Sequence, residues 1–312
     1  MPSSQWLPAL VIAVTMSPPA AAQRATKADS LLAAGNLAAA ESSYYAAARV
    51  RPRDPQARRQ LGRFLAERGA LRVGAVLLEE ARQFGGDAAT IARDLVPIYR
   101  ALGDYRALAT LPSSPLSAGE RAQAVWLVDH PPALEGGDTT SVVYRPATEA
   151  MPLGRIVIAI DGRPVEAMID PTNRGITLDK RIATNRAHRF AARADGSIPA
   201  VVDSLRLGTF RMTNVAVRLD SLPPRVDAIV GVDVVQRFAP SFDPRGGRVL
   251  LRLAGSVPPD LPGVHVQTLT SVSNVRVIQA GRLMPLSTPS IASMLRTKRW
   301  TLDAKRGRIV VE

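Results

Sequence analysis

The apolar positions of this chain follow two periods. Between residues 24 and 130 they recur at the three-and-four spacing of amphipathic helices; beyond residue 150 they form short runs and alternations suited to strands. Ahead of both lies an apolar run, WLPALVIAVTM at residues 6–16, too short for a membrane span of about 20 residues. Pro18 and Pro19 end it, and Ala20 and Ala22 set up an A-x-A site before Gln23. Residues 1–22 therefore read as a signal peptide. The mature chain is expected to be exported, periplasmic or secreted, with no transmembrane span.

Within residues 23–130, Gly35, Gly69 and Gly103 stand 34 residues apart, and their surroundings agree in phase. Gly35-Asn36-Leu37 leads to Ala40, Tyr44 and Ala47. Gly69-Ala70-Leu71 leads to Gly74, Leu78 and Ala81, and Leu95 and Tyr99 lead into Gly103-Asp104-Tyr105. Each glycine can end one helix and reverse the chain, while the small residues let paired helices approach. Asp54 supplies an N-cap and Pro55 fits the first helical position. This pattern resembles the tetratricopeptide (TPR) family, which implies an α-helical solenoid with a concave surface for a protein or peptide ligand. The third unit departs from it, because Pro112 falls where its second helix should continue. Ser117-x-x-Glu120 then reads as a capping box before Ala124, Val125 and Leu127, a helix expected to close the solenoid.

Residues 131–150 hold tandem prolines, a glycine pair and no helical period, and read as a linker with a short strand at 141–144. Next, 155–160 is a buried-type strand, Asp161-Gly162 a hairpin turn, and 164–169 the returning strand. It delivers Asp170 into the loop 171–175, followed by a strand at 176–178 and an expected helix over 181–183. An antiparallel pair is expected at 204–208 and 215–217. Ile229-Val230-Gly231, Asp233 and Phe238 come after it, then 241–243 and a last strand at 248–251.

That order resembles the retropepsin-like bacterial aspartyl proteases over residues 151–253, which implies a mainly-β acid-protease barrel. In active members the first strand ends in Asp-Thr-Gly or Asp-Ser-Gly; the Asp shares a proton with a partner carboxylate and holds the attacking water. Here the matching residues are Asp170-Pro171-Thr172. The bracing hydroxyl has become a proline without an N–H, and the glycine has become a β-branched residue. Asp170 is thus the candidate catalytic residue, in a loop unsuited to it. A weak echo links 241–252 with 301–312, so residues 254–312 read as a degenerate second lobe. No Asp lies between Asp260 and Asp303 to match Asp170, and Asp243 and Asp303 read as structural hairpin acids.

Composition narrows the chemistry. The 312 residues include no cysteine and three histidines, His130, His188 and His265, too dispersed for a local metal motif. Disulfides and thiolate chemistry are excluded, and no motif calls for a cofactor or metal. The net charge of +13 divides as +5 over residues 24–112, −3 over 113–150 and +11 over 151–312. That excess leaves an anionic envelope partner open. The basic residues lack interleaved aromatics, so nucleic acid is not expected.

The expectation is a multidomain α + β protein: TPR-type helices, then a retropepsin-like domain with a degenerate motif that binds protein or peptide. The alternative is an active aspartic endopeptidase using Asp170 as a homodimer.

Overall fold

The structure, a computed structural model, describes residues 20–146, 148, 151, 153–183, 187–253, 261–271 and 274–312. The apolar run at 6–16 lies outside the described residues. Seven helices come first: α1 (Ala20–Ala33), α2 (Leu37–Val50), α3 (Pro55–Glu67), α4 (Leu71–Gln83), α5 (Ala88–Leu102), α6 (Tyr105–Thr110) and α7 (Ala118–Asp129). Neighbours in sequence are neighbours in space.

The helix ends follow from local chemistry. Gly35, Gly69 and Gly103 adopt φ of 71°, 86° and 68°, a region open to glycine at little steric cost. Helices α3 and α4 touch at glycine: a Cβ on Gly74 would lie 2.7 Å from the Gly62 carbonyl oxygen. The Asp54 carboxylate accepts the N–H groups of Gln56 and Ala57, and Ser117 and Glu120 form a reciprocal capping box. Pro112 disfavours a helical Leu111, which is extended, and α6 stops after six residues. No described helix is long and apolar enough to cross a membrane.

The remainder is strand-rich. The strands are β1 (Ala133–Glu135), β2 (Thr139–Arg145), β3 (Arg155–Ile160), β4 (Arg163–Asp170), β5 (Ile176–Asp179), β6 (His188–Arg189), β7 (Ile198–Leu207), β8 (Phe210–Asp220) and β9 (Ala228–Gly231). A short helix α8 (Val232–Val235) precedes β10 (Ser241–Asp243) and β11 (Arg248–Arg252). Then come β12 (Val264–Ser271), β13 (Asn274–Gln279), β14 (Arg282–Pro285), α9 (Pro289–Thr297), β15 (Trp300–Asp303) and β16 (Arg308–Val311). The stretch 131–150, expected as a linker, supplies β1, paired with β8, and β2, paired with β3 and β11. Alternate burial of β2, with Val142 and Tyr144 inward, explains its place in the sheet.

Hydrogen-bonded strands run in the order β4-β3-β2-β11-β10 and then β15-β16-β12-β13-β14. The two five-strand sets are mirror images in chain order, and they meet where Ser241 faces Thr301 and Phe242 faces Trp300. The parallels reach the turns. Asp161-Gly162 and Ala280-Gly281 both take positive φ, and the Oδ1 atoms of Asp243 and Asp303 each accept the N–H three residues on. The first set carries an insertion that the second lacks. There β9 lies between β4 and β5, parallel to one and antiparallel to the other.

The helix expected over 181–183 is instead a turn. Asp179 takes the Arg181 N–H at 2.8 Å and its Nε at 2.7 Å, while the Lys180 N–H goes to the Asp220 carbonyl. Those bonds fix the segment to β8 before a helical turn can close.

Helix α7 docks on the sheet. Buried Gln123 donates from Nε2 to the carbonyls of Ala200 and Val217, at 2.6 and 3.2 Å. Gly119 lies so close to the Ala191 carbonyl that a Cβ would overlap the oxygen. At a second contact, Glu67 of α3 pairs with Arg276 of β13 at 2.7 Å.

Candidate functional site: the Asp loop and the junction cavity

Strand β4 ends at Asp170, in parallel register with Gly231 of β9. The carboxylate is half-buried. Its Oδ1 accepts the Thr172 N–H at 2.8 Å and the Thr172 hydroxyl at 2.7 Å, both within its own loop. This is an Asx-type turn closed on itself. No other described residue hydrogen-bonds to the Asp170 carboxylate. In the second strand set, the position eight residues past the hairpin glycine, matching Asp170 after Gly162, is Pro289 at the start of α9.

The loop is braced from the other side. Asp233 accepts the Gly175 N–H on its two carboxylate oxygens at 3.0 and 3.1 Å, and the Gly231 N–H donates to the Gly175 carbonyl at 2.7 Å. Burial pushes the Asp233 pKa up; the Gly175 N–H and the charge of Arg237 oppose that. Asp233 was legible in the sequence as part of a signature, and the structure gives it this bracing role. Asp243, in contrast, is held down to about 2 by the Arg299 guanidinium and the Gly246 N–H, away from the loop.

Between the Asp loop and helices α5–α7 lies a cavity of about 590 Å³. Thr172, Asn173, Arg174 and Gly175 form one wall and Asp233 a corner, but Asp170 does not line it. Five arginines (Arg100, Arg174, Arg193, Arg218, Arg237) and two acidic residues, Glu120 and Asp233, line it together with apolar side chains. Sequence reading missed this cluster, since its members are spread from residue 100 to residue 237 with no motif; Glu120 stood out as a helix cap and Asp233 as a residue following Ile229-Val230-Gly231. His188, exposed, stacks on Trp126 with ring centres 5.4 Å apart and lies outside the cavity lining. No group of three His, Asp or Glu residues that would hold a metal occurs among the described residues.

Glu120 links the two regions. Its Oε1 accepts from Arg100 of α5 at 2.9 Å and from Arg193 at 2.8 Å. Burial raises its pKa, yet the Ser117 N–H and the two guanidiniums outweigh burial and hold it below the usual range. A lowered folded-state pKa adds stability above the unfolded value, and that stability is lost as pH falls through the folded one. Wild type is therefore expected to melt above Glu120→Gln at pH 6. The difference should close as pH drops below the ordinary glutamate range, in melting curves of both proteins from pH 6 to 2. A gap that persists at the acid end would contradict this role.

No protein-family model and no curated protein matches the chain. Solved structures similar to part of it include a retropepsin-like aspartic protease from Rickettsia conorii, at 14% identity, covering 39% of this chain and 94% of that one, with a TM-score of 0.28. The EIAV protease complexed with the inhibitor HBY-793 is similar at 14% identity, covering 26% and 84%, with a TM-score of 0.21.

Proposed function

We propose that this chain is an exported binding protein, in which TPR-type helices and a retropepsin-like domain without protease activity hold a peptide or protein segment at their junction. The observation that carries the reading is the closed Asp170 loop. An aspartic protease needs two carboxylates about 3 Å apart sharing a proton. Here both hydrogen bonds of Asp170 come from Thr172, and the matching position in the second strand set is Pro289. The mirrored strand order supports reading residues 254–312 as a reduced second lobe. The 34-residue glycine period and the helix pairs support the TPR-type reading, and the cavity between the two parts offers the ligand seat.

Incubating the mature protein with a peptide library between pH 3 and 7 should give no cleavage, read by mass spectrometry, while the same peptides are retained in equilibrium dialysis. Cuts present in wild type and absent in Asp170→Asn would overturn the reading in favour of an endopeptidase.

A further inference from the structure

The cavity holds more positive charge than its own carboxylates neutralise. Arg100 and Arg193 share the single carboxylate of Glu120. Asp233 is engaged with the Gly175 N–H. Arg174 and Arg237 form no ion pair with any described residue. Arg218 donates from Nη2 to the Thr177 hydroxyl at 3.1 Å, while its buried Nε has no hydrogen-bond partner and the nearest carboxylate, Asp220, is 3.8 Å away. Tyr105, in the same lining, offers a hydroxyl that no described residue engages. Burial keeps that phenol in its neutral, hydrogen-donating form, and Arg237 and Arg100 are the charges acting on it.

A ligand completing this site must bring negative charge to Tyr105 and Arg237 and apolar surface to the accessible lining residues Leu134, Met212 and Ala216. Guanidinium planes suit a carboxylate, the anion that a peptide end supplies. Resting on the reading that this cavity seats a peptide, we infer that it recognises the free C-terminal carboxylate of an apolar peptide end, gripped by Arg237 and the Tyr105 hydroxyl. The apolar walls hold the last side chains, and the remaining guanidiniums make the cavity attractive to the anion before contact. Recognition of a chain end suits a cleavage product or an exposed terminus better than an internal loop.

The test uses the full mature chain in equilibrium dialysis against randomised N-acetyl hexapeptides ending in Leu, Ile, Val or Phe. One pool carries free C-terminal acids and the other C-terminal amides, and mass spectrometry reads retention. Acids should be retained about tenfold more than amides, the size expected for losing one charge-assisted contact. Tyr105→Phe, which removes a hydroxyl that no described residue engages, should lower the retention of acids without lowering the melting temperature, and adding Arg237→Gln, which also removes a charge that offsets the burial of Asp233, should bring acids down to the amide level. Equal retention of acids and amides would overturn the carboxylate inference and leave peptide binding standing. Retention of neither pool would overturn the peptide reading itself. Decanoate retained in place of both would overturn it in favour of a lipid-type carboxylate.

Discussion

Replacing Trp300 by alanine is expected to cost about 4 kcal/mol of folding stability, within the range for truncating a buried tryptophan. Trp300 is 2% exposed and stacks on Phe242 at 4.0 Å between ring centres and 13° between planes. Those two residues face each other across β10 and β15, the seam between the mirrored strand sets. The indole Nε1 also donates to the buried Leu295 carbonyl at 3.1 Å, tying α9 to the seam. Alanine would leave a cavity and an orphaned acceptor; phenylalanine would keep the stack and lose only the hydrogen bond, about 1 kcal/mol. Urea denaturation of both variants checks this. Equal losses would mean that the stack across the seam contributes little, and that the two strand sets are not held together there.

Gly119→Ala should destabilise by about 3 kcal/mol through overpacking, against the usual sign of the substitution. Within a helix, Gly→Ala ordinarily stabilises by roughly 0.5–1 kcal/mol. Here the new Cβ would overlap the Ala191 carbonyl oxygen, a backbone atom that cannot turn aside. Either α7 lifts from the sheet or the segment around Ala191 shifts, and both movements strain the Glu120 and Gln123 contacts nearby. Thermal melts should show the loss. Combined with Glu120→Gln, the effect should fall short of additivity, because both changes loosen one contact. A rise in melting temperature would show that α7 is not held against Ala191.

What was legible in the sequence was decided locally. The glycines at 35, 69 and 103 end helices because few other residues adopt their φ. The Ser117 and Glu120 cap needs only neighbours three residues apart. The Asp161-Gly162 turn sets the hairpin of β3 and β4 whatever surrounds it. The departure of Asp170-Pro171-Thr172 from Asp-Thr-Gly was also readable, because Pro171 carries no hydroxyl and no N–H in any conformation. Where distant groups competed, local reading failed. At 180–182 the N–H groups are taken by Asp179 and by Asp220 of another strand, so the segment is a turn. In the stretch 131–150 the strand at 141–144 was legible, but β1 was not, because its pairing partner β8 lies far along the chain.

The repeat glycines, the capping box, the hairpin of β3 and β4 and the residues of the Asp170 loop were thus readable from sequence alone. They depend on backbone sterics and residue chemistry that act within a few positions. Only the tertiary structure decided that α7 docks on the sheet, that the Phe242–Trp300 seam joins two mirrored strand sets, and that five scattered arginines surround one cavity. Those outcomes depend on which long-range contacts satisfy buried polar groups and fill apolar space, and no short window of the chain contains that information.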